Sequence, residues 1–334
     1  HPHLHGATAI QVASGMAGAI IVQGPLDDVP EIAAARDRVF MFQAPIHDAQ
    51  GLLESFSQVA SPQAEPPFLV NGVRRPTLVL RPGQVERWRL VNAGIANYLN
   101  LALEGHALHL IALDSCPRRT PLAFPADGGP GLVLAPGNRA DILVQAGAPG
   151  RYELRTQAYD MGNAQPLAAD VLAYVVVEGA PLSMALPGAP LPVPEALAPV
   201  SDAELAGKGG LQRNIVLRSV FNDDGSPLTD PPAADALDLP PGELAQWQYQ
   251  TGNTFLADTA FTTGAGGTRA TQNPGMPARL APFQSSRAIR QIVDLGSVEE
   301  WTVYNMNAVQ HPFHIHINPV EVVKVNGQPV APYW

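Results

Sequence analysis

Nine histidines carry most of the chemistry this 334-residue chain can offer, and six of them fall in two short clusters. One is His1-Pro2-His3-Leu4-His5 and the other is His311-Pro312-Phe313-His314-Ile315-His316. Neutral imidazole is a ligand for copper, zinc, iron and nickel. In a strand, residues two apart project to the same side. His1 and His3 can therefore address one metal site together, and so can His314 and His316. His311 lies an odd three residues before His314 and is expected to point the other way. One strand then feeds two separate metal sites, a layout suited to passing electrons between centres. A lone H-x-H is a weak signal, because surface histidines are common. Two such clusters beside glycine or proline and apolar strand residues are far less ordinary. A zinc hydrolase would want a nearby carboxylate as ligand or base, and neither cluster contains Asp or Glu.

The remaining histidines read as structural. His106 and His109 sit in Gly105-His106-Ala107-Leu108-His109, and His47 stands beside Asp48. All three are expected to be hydrogen-bonded residues without a metal. Cys116 is the one cysteine, so no internal disulfide can form.

The elements that must position these side chains are short strands. Hydrophobic residues make up 46% of the chain and charged ones 15%, while 34 prolines and 30 glycines signal frequent turns. Strands are expected at Met16–Gln23, Arg38–Gln43, Thr77–Leu80, Val85–Val91, Leu132–Leu134, Ala140–Gln145, Val171–Glu178, Asn214–Val220 and Glu300–Asn305. Pro-Gly and Asn-Gly turns bound them, and no long stretch keeps a helical period. The reading is an all-β protein built from sandwiches. Pro181, Pro187, Pro190, Pro192, Pro194 and Pro199 crowd a segment with little strand pattern, expected to be an interdomain linker over 181–210. The net charge of -10 is spread without a basic cluster, which argues against nucleic acid as a partner. The longest apolar runs, Met16–Val22 and Val171–Val177, are strand-sized and too short to span a membrane.

An internal repeat organises the chain. Gly83-Gln84-Val85-Glu86-Arg87-Trp88-Arg89-Leu90-Val91-Asn92 matches Gly296-Ser297-Val298-Glu299-Glu300-Trp301-Thr302-Val303-Tyr304-Asn305 as G-x-V-E-x-W-x-x-x-N. Duplicated sandwich domains explain it, and Trp88 and Trp301 read as core residues. At the same offset His311, His314 and His316 fall opposite Tyr98, Leu101 and Leu103. One domain looks metal-binding and its sister structural.

His1-Pro2-His3-Leu4-His5-Gly6, running into Gln11-Val12-Ala13-Ser14-Gly15-Met16-Ala17-Gly18, resembles the second copper motif of three-domain bacterial multicopper oxidases. His311-Pro312-Phe313-His314-Ile315-His316 resembles their third. The resemblance implies tandem cupredoxin-like Greek-key β-sandwiches. Residues 1–28 would be the end of domain 1, 29–180 a copper-free domain 2, 181–210 the Pro-rich linker and 211–334 part of domain 3. It also implies four coppers: a type 1 copper that takes electrons from the substrate, and a cluster of one type 2 and two type 3 coppers that reduces dioxygen to water. By motif position His311 matches a type 1 ligand and His314 a type 2 ligand. His316, His1 and His3 match type 3 ligands. His5 has no counterpart and would orient its neighbours. In the family the counterparts of His3 and His316 share one type 3 copper, so their ring nitrogens should lie within about 4 Å of each other.

The chain departs from the family at both ends. An H-W-H-G-like first motif is expected before His1, where the true start should also lie. A fourth motif, with the type 1 cysteine and three histidines, is expected after Trp334. Cys116 is no substitute, because a blue-copper site needs a thiolate with two histidines, and Cys116 is followed by Pro117 with no histidine beside it. Five histidines therefore match, of the ten that the family uses. The implied function is a laccase-like oxidoreductase acting on a small-molecule electron donor and dioxygen, periplasmic or secreted, with these residues alone inactive. Cuprous oxidases often carry a Met-rich insert before the third motif, and Ala180–Gln310 holds only Met184, Met276 and Met306. That favours a phenolic or other organic donor over a metal ion. The alternative is a copper-free cupredoxin-like scaffold that binds partner proteins, but such proteins usually lose the histidines that are intact here.

Overall fold

Apolar residues at every second position bury one face of an extended segment while its backbone pairs sideways, and that is how the described sheets of this chain are built. A computed structural model describes residues 7–45, 50, 52, 68–126, 129–162, 166–188, 190–208, 211–219, 254–263, 281–282, 293–305 and 310–333. His1, His3, His5 and His47 lie outside the described residues. The chain divides into two units, one of residues 1–199 with 312–334 and the other of residues 200–311.

The first unit is dominated by a β-sandwich. β1 (Arg36–Gln43), β2 (Leu69–Val70), β4 (Val85–Asn92), β6 (Leu108–Leu113), β7 (Cys116–Phe124) and β9 (Arg139–Gln145) form a six-stranded sheet in the order β2-β1-β4-β9-β6-β7. β3 (Thr77–Leu80), β5 (Leu99–Leu103), β8 (Leu132–Leu134), β10 (Gly150–Thr156) and β11 (Asp170–Val177) form a five-stranded one in the order β3-β11-β10-β5-β8. Phe40 and Trp88 of the first sheet share one buried core with Leu101, Leu103, Leu154 and Val175 of the second. Burying each such side chain contributes about 1.5–3 kcal/mol. β4 is the spine, parallel to β1 and antiparallel to β9. It carries a fully buried carboxylate, Glu86, which accepts from Arg38 at 2.6 and 3.0 Å and from the Trp88 indole at 2.9 Å. An ion buried in this way persists only with such partners.

In the second unit β12 (Leu211–Ser219), β13 (Thr254–Thr263), β14 (Ala281–Pro282) and β15 (Glu299–Asn305) form a sheet in the order β14-β13-β12-β15. In the first unit, β16 (Val322–Val325) and β17 (Gln328–Tyr333) pair as a hairpin. Its turn residues, Asn326 and Gly327, have φ of 50° and 73°, the left-handed conformation that a two-residue hairpin turn requires.

One expectation needs correction. Met16–Gln23 forms no strand and lies between a short helix at Thr8–Ala13 and a 3-10 turn at Pro25–Asp28. A strand needs a ladder partner as well as apolar alternation, and among the described residues none pairs with this run. Ile20 is 94% exposed and Val22 81%. The Pro-rich segment is docked over its first part. The Leu182 amide donates to the Pro82 carbonyl, the Leu191 amide to the Arg119 carbonyl, and Leu191 is buried. Its later part holds a helix at Asp202–Gly207 capped by the Ser201 hydroxyl. Among the described residues, no helix is long and apolar enough to cross a membrane.

Candidate metal centre

The repeated motif has the same local build in both copies. The turn glycines Gly83 and Gly296 have φ of 75° and 79°. In each copy the tryptophan indole donates to the glutamate two residues before it, Trp88 to Glu86 at 2.9 Å and Trp301 to Glu299 at 2.6 Å. Each strand also takes a parallel partner in the same register, with Arg38 beside Trp88 and Arg213 beside Trp301. Trp88 was legible as a core residue, whereas Trp301 is only partly buried. Their pairing with glutamate was not legible, although the E-x-W spacing puts both side chains on one face of the strand.

This duplication makes β5 a guide to the histidine segment. Leu101 and Leu103, opposite His314 and His316 in the repeat, are both fully buried in the main core. Tyr98, opposite His311, belongs to a separate cluster with Met161 and Leu167 and stacks on Tyr159 at 5.6 Å. Burial pushes the Tyr98 phenol up to about 12. In the sister domain, therefore, the position matching His311 looks into a different cluster from the positions matching His314 and His316.

His311–His316 is irregular rather than a strand. Pro312 has no N–H to give a ladder, Ile317 has φ of 73°, and the Asn318 amide turns back to the His316 carbonyl at 2.9 Å. The rings of His314 and His316 nevertheless meet, with centroids 4.7 Å apart in an edge-to-face arrangement. His311 belongs to the 200–311 unit and His314 and His316 to the other. The His311 Nε2 is buried with no hydrogen-bond partner among the described residues, and burial lowers the basicity of its ring. A neutral imidazole with an unused nitrogen, and separately a pair of imidazoles, are donors that copper or zinc takes. Among the described residues, no three His, Cys, Asp or Glu side chains converge as a complete site.

The other histidines are built differently. His106 is buried, its Nδ1 lies 2.7 Å from the Glu104 carbonyl, and its Nε2 accepts from the Gly147 amide at 2.9 Å. The edge of the ring meets Tyr152 at 4.5 Å. Both nitrogens are used, so the ring has none left for a metal. Replacing it leaves two part-buried backbone groups without this partner, each costing up to about 1–3 kcal/mol. His106→Ala is expected to lower unfolding free energy by about 3 kcal/mol, read by denaturant titration, with metal content unchanged. His109, on β6, is partly buried, and desolvation pushes its basicity down. The unfolded chain then takes up this proton before the folded one, so stability rises with pH and falls on acidification below about 6.5. His109→Gln should flatten that part of the stability profile in thermal scans, and an unchanged profile would assign the acid loss to other groups.

Residues 46–179 and residues 258–334 match two family models, each described as multicopper oxidase. The chain belongs to the multicopper oxidases, a family whose cofactor is copper. Laccase-1 of Melanocarpus albomyces is 25% identical, over 93% of this chain and 48% of that protein. The chain thus spans about half the length of that relative. Among solved structures, a multicopper oxidase from Campylobacter jejuni, described as a metallo-oxidase, superposes with a TM-score of 0.64 at 20% identity. That match covers 98% of this chain and 59% of the other. A laccase-like multicopper oxidase from Ochrobactrum sp. gives 0.51 at 23% identity, over 65% and 47%. The architecture is thus the all-β, cupredoxin-like one that the histidine motifs implied.

Proposed function

We propose that these residues supply about half of the copper ligands of a laccase-like oxidase that couples one-electron oxidation of a small-molecule donor to reduction of dioxygen to water. The paired rings of His314 and His316 carry this reading. The unpartnered His311 Nε2 and the separation of Tyr98 from Leu101 and Leu103 in the sister strand support a second, distinct site. His311 would hold the type 1 copper and His314 the type 2 copper. His316 would hold a type 3 copper together with His3, and His1 would serve the other. Bound copper supplies the electron transfer and the oxygen chemistry, and the protein fixes and orients the imidazoles. Neutral imidazoles suit that task because they bind without changing the charge of the site. Residues 1–28 would end one cupredoxin-like domain, 29–180 form the copper-free one, 181–210 the linker and 211–334 the third. The scarcity of methionine before His311 favours a phenolic or other organic donor, in the periplasm or outside the cell.

The complete reading frame provides the first check. It is expected to encode an H-x-H pair upstream of His1 and an H-C-H triplet, with a further histidine, downstream of Trp334. A frame without the cysteine motif would overturn the oxidase reading.

A further inference from the structure

The six-stranded sheet has an outer face as well as a core face, and on it the two connectors of the middle domain meet. β4 alternates, with Glu86, Trp88 and Leu90 on the core side and Val85, Arg87 and Arg89 on the other. Leu26 and Ile32 of the incoming connector lie in one buried apolar cluster with Val85 and Leu143 of the sheet. Leu191 of the outgoing Pro-rich segment belongs to the same cluster, and Met184 packs against it. Polar contacts fasten each connector separately. Asp27 accepts from Arg87 at 2.5 Å and from Arg89 at 3.0 Å, and also from the Gly24 amide at 2.7 Å. Arg87 is only 4% exposed, so removing Asp27 would leave a nearly buried cation short of a partner. On the other connector, Gln145 donates to the Met184 carbonyl at 2.7 Å and the Val85 amide contacts the Met184 sulfur at 3.4 Å.

We infer that the outer face of the copper-free domain is a clamp that seats both interdomain connectors in one cluster, and so sets where the chain enters and leaves that domain. The inference rests on the proposed function only for its consequence. Ligands from two distant parts of the chain must converge on one cluster, and a copper-free domain that fixes both connectors narrows the positions those parts can take. Leu26, Asp27 and Leu191 are thus positioning residues that touch no metal.

The test has two arms. In the 334-residue chain, hydrogen exchange is followed by mass spectrometry in Leu26→Ala, Leu191→Ala and Asp27→Asn variants. Leu26→Ala should speed exchange at 182–191 as well as locally, and Leu191→Ala should speed it at 25–33, while β5 and β10 stay protected. Faster exchange confined to the mutated connector would overturn the clamp. Asp27→Asn, which keeps the apolar cluster, guards against a simple failure to fold. In the whole oxidase, the same variants should lose type 2 and type 3 copper several-fold while the blue type 1 absorption remains. Full retention of all coppers, with the connectors loosened by exchange, would overturn the positioning role and leave the oxidase reading intact. A whole protein without copper would overturn the oxidase reading, and the exchange data alone would then decide the clamp.

Discussion

Supplied with copper, residues 1–334 alone are expected to remain non-blue and to consume no dioxygen with a phenolic donor. The blue absorption arises from a copper-bound cysteine thiolate with two histidines. Cys116 is the chain's one cysteine. It starts β7, is 8% exposed and sits opposite Leu113 in the ladder. Burial, with the Asp114 carboxylate nearby, pushes its thiol up and away from the thiolate form. Enzymes of ordinary power accelerate their reactions by about 10⁶-fold or more, so the expected deficit is essentially the whole rate. Absorption spectra and oxygen uptake of the purified chain check this, and a blue band or steady uptake above free copper would refute it.

The second large effect separates the two sites within one short segment. In the whole oxidase, His314→Ala and His316→Ala are each expected to abolish dioxygen reduction while leaving the type 1 blue band. His311→Ala should remove the blue band and leave the cluster coppers. Residues that only orient a metal ligand cost about 10–100-fold in affinity or activity when replaced, and loss of a ligand itself should exceed that. Copper content, optical spectra and donor turnover on the three variants give the answer. Simultaneous loss of both signals from His314→Ala would contradict the two-site reading. His106→Ala serves as the control, because both of its ring nitrogens are already bonded within the middle domain.

What could be read beforehand depended on whether a signal was local. Val85–Val91 and Ala140–Gln145 were legible as strands because alternation and Pro-Gly turns lie within a few residues, and both form central strands that pair with each other. The offset between Trp88 and Trp301 was equally plain, whereas the different surroundings of Tyr98 and of Leu101 and Leu103 in the sister strand came only from the structure. Met16–Gln23 misled because its composition promises a strand while strand formation depends on a partner elsewhere. The docking of the proline segment was not legible. Proline rules out a ladder but not docking, and Leu191 buries itself on the sheet all the same. The charge network of Asp27, Arg87, Arg89, Asp37 and Asp141 joins residues up to 114 positions apart, beyond any local pattern. The irregular path of His311–His316 follows from Pro312 and the left-handed Ile317, of which only the proline was visible in advance.

The most direct test is the metal content of the whole native protein. Elemental mass spectrometry on protein purified without added metal, paired with its electron paramagnetic resonance spectrum, should give four coppers per chain and signals from one type 1 and one type 2 centre. Zinc in place of copper, or less than one copper per chain in correctly folded protein, would contradict the assignment of His1, His3, His311, His314 and His316 as copper ligands.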